Sequence, residues 1–449
     1  MKNESPVSRK IDSYSRNPFI RSIYTADPSA HVWSSDPNRL YVYASRDMDP
    51  ARGCDLMDHY HIFSTEDMVN WCDEGEILCS DDVPWGRPEG GFMWAPDAAY
   101  NNGKYYFYFP HPSDTRWNDS WKIGVAISDK PDRDFVESGY VLGFEGEQVG
   151  GDCMIDPAVF VDDDGRAYFY YGGGSRNENC KGAEMNPDMI TLKTPLQTME
   201  GVEQFHEATW LFKRNGVYYL TYSDNVNGAN RLCYCMGATP LGPWEYKGVY
   251  LEDTGCDTSH GSVVEFKGQW WAFYHCRDIS GQGNMRSICC DPMEFNEDGT
   301  IKTVIQSRNG RMPIGPAPCI DARMTQYTAA EATLTGTAEL RGEGNAWDEK
   351  TLVLKDGGTV TFTEVDGFDG DRVTLSFMYA SGDRLAKANL NVNGVDYKLI
   401  NFVRTGGHNT FNGRTDFTLK LNAGKTNTVV LTGDVGTVFL EYMTATPIS

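Results

Sequence analysis

The sequence lacks the features that mark membrane proteins and nucleic-acid-binding proteins. It has no apolar run approaching the ~18 residues of a transmembrane helix. Basic residues are in deficit, since 40 Lys and Arg stand against 63 Asp and Glu and give a net charge of −23. That balance argues against nucleic acid or an anionic membrane surface as a partner. No apolar core of a secretory signal is present near the start, so a cytoplasmic protein is expected if that terminus is native.

Two further patterns are missing. The 12 cysteines have neither the spacing of a disulfide framework nor that of a zinc site. We therefore expect buried, unreactive thiols, which suit a reducing compartment. Helical periodicity is almost absent, and this excludes helical bundles and α/β folds. What remains is a chain with 12% aromatic residues, arranged in short strand-like runs, so the sequence predicts an all-β protein.

One stretch contains the unit from which the first two thirds of the chain is built. In IDPAVFVDDDGRAYFYYGGG an acid, Asp156, precedes an apolar strand, an acidic turn ending in Gly165, and a second, aromatic-rich strand. Asp-Gly between two such runs predicts a β-hairpin, because the glycine supplies the positive φ of the turn. Four similar hairpins begin at or just after Asp27, Asp97, Glu207 and His260. A repeat every ~50 to 70 residues predicts a five-bladed β-propeller.

A change in composition and in the pattern of apolar residues divides the chain into two predicted domains. Residues 1–320 are assigned to the propeller, and its first 20 residues are expected to complete the last blade, which ties the ends of a propeller together. Gly and Pro cluster over residues 308–322 and indicate a boundary. Residues 324–449 contain short alternating runs such as TVTFTEV and TDFTLKLN, which predict an antiparallel β-sandwich of the jelly-roll type.

Acidic residues at the blade starts are the candidates for chemistry. The first strand of every blade lines the central axis, so residues at the starts of these strands should converge at one mouth of the channel. Carboxylates crowded there cannot all ionise freely, so at least one should have a raised pKa while others stay anionic. Hydrolysis of an acetal needs that combination, a protonated carboxyl beside the leaving oxygen and a carboxylate holding a water molecule.

Four motifs in this order resemble glycoside hydrolase family 43: TADPSA, IDPAVFVDDDGRAY, HEATWLFKRNGVYYLTYS and HGSVVEFKGQWWAFYH. The resemblance covers residues 17–310 and implies a five-bladed propeller that hydrolyses glycosides with inversion of the anomeric carbon. It implies that Asp27 is the general base, that Asp156 raises the pKa of the acid and orients it, and that Glu207 is the general acid. Many members have Glu-Gly-Pro at the acid, whereas this chain has Ala208 and Thr209 after Glu207.

The same resemblance suggests further site residues. His260 matches a channel histidine that lies near a metal, often calcium, in relatives, and Arg277 matches an arginine that reaches the active site. Both also have an ordinary interpretation, as a core histidine and as an ion-pair partner. Asp97 either binds substrate or holds a neighbouring loop. Because sugar rings stack on aromatic faces, aromatic residues near the acids in the sequence are expected to bind substrate; these are Trp33, Trp94 and Phe205.

Residues 324–449 resemble carbohydrate-binding module family 6, through YTAAEATLTGTAEL, the central RVTLSFMYASGDRLAKANLNVNGV and the closing VFLEYM. By that resemblance Glu331 and Glu441 would be calcium ligands in the sandwich. Calcium is thus possible in both domains, in a structural or supporting role, and no organic cofactor is expected. The sequence leaves open whether this domain binds sugar or stabilises the propeller.

The sequence therefore predicts an inverting, exo-acting glycosidase that acts on a carbohydrate substrate. The preferred activity is that of an α-L-arabinofuranosidase on plant-type oligosaccharides or polysaccharides. A β-D-xylosidase and a galactan- or galactofuranose-directed hydrolase are alternatives in the same family. A sugar-binding propeller without catalysis is an alternative of another class. A retaining fructan hydrolase is disfavoured, because there is no Asn before Asp27 and no Cys after Glu207.

Overall fold

A computed structural model describes residues 16–49, 56–116, 120–150, 154–173, 180–308, 313–314, 323–342 and 350–448. Most of the expected domain boundary, residues 308–322, lies outside the described residues. The described part is almost entirely β. Its helices are two single turns of 3-10 type, Ser80–Asp82 and Ala329–Glu331, and no helix among the described residues is long and apolar enough to cross a membrane.

Five antiparallel sheets form the blades of the propeller, as the hairpin repeat predicts. Blade one contains β1 (Thr25–Trp33), β2 (Asp36–Arg46), β3 (His59–Thr65) and β4 (Trp71–Cys79), and blade two contains β5 (Asp97–Asn101), β6 (Lys104–Pro112), β7 (Trp121–Ser128) and β8 (Val136–Tyr140). Blade three contains β9 (Ala158–Val161), β10 (Ala167–Tyr171), β11 (Lys181–Met185) and β12 (Gln197–Thr198). Blade four contains β13 (Glu207–Arg214), β14 (Val217–Ser223), β15 (Leu232–Gly237) and β16 (Trp244–Leu251), and blade five contains β17 (Ser262–Phe266), β18 (Gln269–Cys276) and β19 (Ser287–Met293).

The first strand of each blade is the innermost one. These five strands contact one another in a closed ring, β1 to β5, β9, β13, β17 and back to β1. Aromatic side chains fill the spaces between successive blades and form separate cores, for example the one between blades one and two around Tyr43, Tyr60 and Phe107. Because each blade is covered on both faces by its neighbours, only the ends of the inner strands open toward solvent, at the two mouths of the channel.

The N-terminal segment closes the ring. The backbone N–H of Phe19 donates to the carbonyl of Ile288 in β19 at 3.1 Å. The side chain of Asn17 donates to the carbonyl of Cys290 at 2.8 Å and accepts from the Cys290 N–H at 3.1 Å. Residues 17–19 therefore cover the outer edge of blade five, as expected for the end of the first 20 residues. Residues 1–15 lie outside the described part of the chain.

The C-terminal domain is a sandwich of two antiparallel sheets. One contains β22 (Glu339–Gly342), β23 (Lys350–Lys355), β30 (Thr437–Pro447), β25 (Arg372–Ala380) and β28 (Gly413–Lys420), with β20 (Thr325–Thr328) paired to β30. The other contains β21 (Thr333–Gly336), β24 (Gly358–Asp366), β29 (Lys425–Val435), β26 (Leu385–Val392) and β27 (Val395–Val403). The alternation of apolar and polar residues in these strands places one face of each sheet in a common core.

The sandwich is docked on blades one and two through buried polar contacts. Arg372 is the central one: its guanidinium donates to Asp132 Oδ2 at 2.6 Å and to the Glu74 carbonyl at 2.7 Å. Arg46 of β2 donates to the carbonyl of Tyr397 at 2.8 Å. A buried cation left without partners would cost several kcal/mol, roughly 3–5, so these contacts hold the two domains in one arrangement.

Candidate active site

Three acids lie at the heads of the inner strands, where the backbone departs from regular β geometry. Asp27 has φ of 54°, Asp156 has φ of 53°, and Ala208, directly after Glu207, has φ of 67°. Register shifts in β1 after Ala26 and in β13 after Glu207 accompany two of these turns. Such left-handed conformations cost a non-glycine residue about 1–3 kcal/mol and cluster at functional sites. Here they turn the acids away from the pleat, toward the channel mouth.

Asp27 is a buried carboxylate held in its ionised form. It is 4% exposed, its Oδ1 accepts from Arg286 Nη1 at 2.9 Å, and its Oδ2 accepts from Ser45 Oγ at 2.5 Å. Burial by itself would raise the pKa of Asp27, but the pKa lies below its usual value; the positive charge of Arg286 is the largest opposing effect, and the Ser45 hydrogen bond acts in the same direction. An anionic carboxylate of this kind can accept a proton from water.

His275 is a neutral imidazole that accepts a hydrogen bond from the backbone N–H of Asp27. Its Nδ1 lies 3.2 Å from the backbone N of Asp27, and its Nε2 lies 2.8 Å from the carbonyl oxygen of Thr258. An N–H can only donate and a carbonyl can only accept, so Nδ1 is the acceptor and Nε2 carries the proton. Burial, together with the charge of Arg286, lowers the pKa of His275 to about 3. This histidine therefore positions the Asp27 backbone without adding a charge.

The electrostatic environment of Glu207 is opposite to that of Asp27 and favours the protonated carboxyl. Burial, followed by the negative charges of Asp156 and Asp27, raises the pKa of Glu207 well above its usual value. Among the described residues, the one basic side chain in ion-pair contact with Glu207 is His206, whose Nε2 lies 3.8 Å away. Burial lowers the pKa of His206 and so favours its neutral form. The environment of Glu207 therefore favours the protonated carboxyl, the form that a general acid needs.

Asp156 links the head of blade three to the head of blade four. It is 4% exposed, its Oδ2 accepts from the Ala208 N–H at 2.8 Å, and its backbone carbonyl accepts from the Thr209 hydroxyl. These contacts hold the backbone on the C-terminal side of Glu207. The structure thus brings Asp27, Asp156 and Glu207 to one mouth of the channel, within electrostatic reach of one another.

Arg286 contacts Asp27 at 2.9 Å but is not among the site residues that the sequence predicts. It is 7% exposed and contacts Asp27, while its Nη2 and Nε donate to the two oxygens of Asp47 at 2.9 and 3.0 Å. The predicted arginine, Arg277, is exposed and lies beside Gly255. Both arginines flank the loop between β18 and β19, and only the fold distinguishes them. The available signal was the position of Arg286 directly before a strongly apolar strand.

Trp33 and Asp97 do not lie where they were expected. Trp33 is at the far end of β1 and lines a cavity at the opposite mouth of the channel, because it follows Asp27 by six positions along an extended strand. Asp97 lies deeper in the channel and accepts from Ser29 Oγ at 2.8 Å and from the Val159 N–H at 2.6 Å. Asp97 therefore braces three inner strands, which agrees with its alternative, structural interpretation.

The other two aromatic candidates are nearer to the acids. The hydroxyl of Tyr60 donates to the Trp94 carbonyl at 2.6 Å, and burial together with the charges of Asp27 and Asp156 raises the pKa of Tyr60. Trp94 is thus on the acid side of the channel, half-buried, with its ring 4.5 Å from that of Trp121. Phe205 lies in the loop before Glu207 and packs 5.4 Å from the ring of Tyr222. Substrate binding by Trp94 and Phe205 stays a prediction.

The chain is similar in sequence and in structure to known proteins of one family. Residues 15–301 match the family described as glycosyl hydrolases family 43. A xylosidase/arabinosidase 43A of Humicola insolens is 34% identical over 64% of this chain and 98% of its own length. An arabinoxylan arabinofuranohydrolase of Bacillus subtilis (strain 168) is 28% identical over 88% of this chain and 85% of its own length. The structure of a β-xylosidase/α-arabinofuranosidase from a compost microbial metagenome, in complex with xylotriose and in a calcium-free form, is 33% identical over 65% of this chain and 98% of its own length, with a TM-score of 0.56.

The chain belongs to glycosyl hydrolases family 43. Members of family 43 are inverting glycoside hydrolases, so the protein is an enzyme of that class, and the expected five-bladed propeller is confirmed. Xylosidase and arabinosidase or arabinofuranosidase activities stand in the names of the relatives given above. The resemblance of the sandwich to carbohydrate-binding module family 6 stays a prediction.

Neither His260 in the propeller nor Glu331 and Glu441 in the sandwich belongs to a group of metal-binding side chains in the described part of this family 43 chain. Calcium prefers about six to eight oxygen ligands. His260 is buried with its Nδ1 3.7 Å from Asp156 Oδ2, and Asp156, followed by Asp27, raises the pKa of His260 against the effect of burial. The Glu331 carboxylate accepts from the N–H and hydroxyl of Thr328 at 2.8 and 3.0 Å, and Glu441 is buried in β30. Among the described residues no group of three or more His, Cys, Asp or Glu is placed to hold a metal.

Proposed function

We propose that the protein is an exo-acting α-L-arabinofuranosidase that releases terminal arabinose from plant-type oligosaccharides or polysaccharides. Glu207 is its general acid, Asp27 its general base and Asp156 the residue that orients the acid. The observation that carries this assignment is the opposite direction of two pKa shifts, raised for Glu207 and lowered for Asp27. Pairs of carboxyl groups whose environments separate their pKa values are the usual mark of an acid/base pair.

The reaction follows from these protonation states. Glu207 gives its proton to the glycosidic oxygen as the bond between that oxygen and the anomeric carbon breaks. On the opposite face of the sugar, Asp27 takes a proton from water, whose oxygen forms the new bond to the anomeric carbon. The product has the inverted configuration, Asp27 ends protonated and Glu207 ends ionised. Exchange of protons with solvent restores both groups for the next cycle.

Arg286 keeps the base ready within this mechanism. Its hydrogen bond to Asp27 Oδ1 at 2.9 Å leaves a carboxylate that also accepts from Ser45, so Asp27 stays anionic under conditions in which Glu207 stays protonated. Besides placing a negative charge beside Glu207, Asp156 acts through the backbone, since its bond to the Ala208 N–H at 2.8 Å restrains the residue next to the acid. Both are positioning residues in this proposal.

The choice of a pentose rests on the relatives. Two of the proteins above carry both xylosidase and arabinosidase or arabinofuranosidase in their names, and the third is an arabinoxylan arabinofuranohydrolase. A β-D-xylosidase is accordingly the second candidate function, and a galactofuranose-directed activity the third. The acid/base chemistry is the same in all of them, so the substrate has to be identified by measurement.

A panel of p-nitrophenyl glycosides tests the proposal. The α-L-arabinofuranoside should give the highest kcat/KM, followed by the β-D-xyloside, and oligosaccharides should release monosaccharide only. Proton NMR of the first product should show the inverted anomer, and retention would overturn the roles of Asp27 and Glu207. A kcat/KM highest for the xyloside would replace the preferred sugar by the second candidate.

A matched pair of variants tests catalysis itself. Glu207→Gln keeps the size of the side chain and removes the transferable proton, so kcat should fall about 10²- to 10⁴-fold. Glu203→Gln is the control, because Glu203 lies in the same loop and is exposed; its activity should equal that of the wild type. A Glu207→Gln protein with wild-type turnover would favour a sugar-binding propeller without catalysis.

A further inference from the structure

A cavity of about 360 Å³ lies where the sandwich meets blade one, away from the three acids. Its aromatic wall comes from Phe19 and Trp71, whose rings stack 4.0 Å apart, and from Tyr379 of β25. The size falls in the range of small-molecule sites, about 300–1,000 Å³. No step of the proposed reaction uses this space.

Four arginines line the cavity: Arg16, Arg21, Arg404 and Arg414. Only one of them has a carboxylate partner among the described residues, since Arg414 Nε lies 2.9 Å from Asp416 Oδ2. The other acid in the lining is Asp73, whose Oδ2 accepts from the Thr418 N–H at 3.0 Å and whose Oδ1 contacts His61. The carboxylate of Asp73 is thus already occupied, and the cavity carries an excess of positive charge.

Arg21 is the most informative of these residues. Its Nε is buried without a hydrogen-bond partner in the described part of the chain, and it forms no ion pair there. Burial lowers the pKa of Arg21 from its usual value, and Arg16 acts in the same direction. Arg21 is half-buried in the cavity lining, and a partly desolvated guanidinium without an acceptor is unfavourable unless a ligand supplies one.

The backbone around Arg21 is held in place. The carbonyl of Ser22 accepts from the Asn401 N–H of the sandwich at 2.7 Å, and the Phe19 N–H donates to Ile288 of blade five at 3.1 Å. Arg21 therefore lies on a short segment fixed at both ends by two domains. A preorganised arginine loses little freedom when it binds, which favours a specific contact.

We propose that this cavity is a binding site for an oxyanion, with Arg21 as its main ligand and Arg16 and Arg404 at its rim. Guanidinium groups pair bidentately with carboxylates and phosphates. The stacked aromatic wall suits a ring that carries the charge, so the carboxylate of an acidic sugar fits the whole cavity, and free phosphate fits its charged part. The net charge of −23 does not oppose binding, because charges beyond the ~8 Å Debye length are screened at physiological salt.

Isothermal titration at constant ionic strength tests this site with three probes: glucuronate, inorganic phosphate and glucose. Glucuronate should bind the wild type and neutral glucose should not; binding of phosphate alone would support the oxyanion site and identify a free anion as its ligand. Arg21→Gln should weaken anion binding at least about tenfold, the loss of one charge-assisted hydrogen bond. Arg323→Gln, an exposed arginine paired with Asp369, should bind like the wild type.

Two results would overturn the proposal: no anion binds the wild type, or Arg21→Gln binds as tightly as the wild type. If Arg21→Gln does not fold, a variant of the exposed residue Arg404 tests the site instead. Arg404→Gln should then weaken glucuronate or phosphate binding, and an unchanged affinity would reject the site. Hydrolysis of an aryl arabinofuranoside should be unaffected in every variant, which keeps this test separate from that of the proposed function.

Discussion

The guanidinium of Arg286 lies 2.9 Å from Asp27 on one side and 2.9 Å from Asp47 on the other, and all three side chains are buried. Arg286 and Asp27 are 259 residues apart in the chain. One cation is thus shared by two carboxylates of blade one, and it belongs to the last blade. The protonation state of the proposed base therefore depends on closure of the ring.

Replacing Arg286 by Met should move the acid limb of the kcat/KM profile to higher pH. Arg286 holds the pKa of Asp27 below its usual value, and the base must be ionised to work, so loss of the cation should raise the limb by about 1–3 pH units. The measurement is kcat/KM for an aryl glycoside across the acid range. Arg323→Met, at an exposed site, should leave the limb in place, and an unmoved limb in Arg286→Met would contradict the assignment of Asp27.

Asp156→Asn should move the alkaline limb of the kcat/KM profile to lower pH. The charge of Asp156 raises the pKa of Glu207, second only to burial, and the acid must be protonated, so removing that charge moves the loss of activity to lower pH. The amide oxygen can still accept from the Ala208 N–H, which preserves the backbone. Asp163→Asn is the control, because Asp163 is 88% exposed in the neighbouring turn. An identical alkaline limb in both variants would show that Asp156 does not act on the acid.

Trp33→Ala and Trp94→Ala should behave differently, although the two residues are equivalent in the sequence prediction. Trp33 is 6% exposed at the opposite mouth, so its truncation should cost about 3–5 kcal/mol of stability and leave KM unchanged. Trp94 lies on the acid side, and its truncation should raise KM. Melting temperatures and KM values for an aryl arabinofuranoside measure both effects. A raised KM in Trp33→Ala alone would show that the two mouths have been assigned the wrong way round.

Much of the fold was predictable because its signals are local. A hairpin such as β9–β10 needs only two apolar runs and a turn, and Gly165, with φ of 80°, supplies the positive φ that the turn requires. The repeat of such hairpins predicts a propeller, and the acids at their starts predict one crowded mouth. Asp27, Asp156 and Glu207 could be selected in this way, since each lies at or near the start of an inner strand.

The sequence was less informative about how far along the channel a residue lies. Asp97 begins β5 as the other acids begin their blades, yet its contacts with Ser29 and Val159 place it inside the ring. Trp33 follows Asp27 by only six residues, but an extended strand rises about 3.3 Å per residue, so closeness in sequence becomes distance in space. Calcium binding by His260, Glu331 and Glu441 has no supporting group of ligands among the described residues.

The sequence by itself determined which segments become strands, how they pair with their neighbours and which acids stand at the heads of the inner strands, because alternation and turn chemistry act over a few residues. The tertiary structure alone decided that Arg286 rather than Arg277 meets Asp27, and that Arg21 faces a cavity between two domains. Those choices depend on contacts between segments hundreds of residues apart, and electrostatics acts through distance in space.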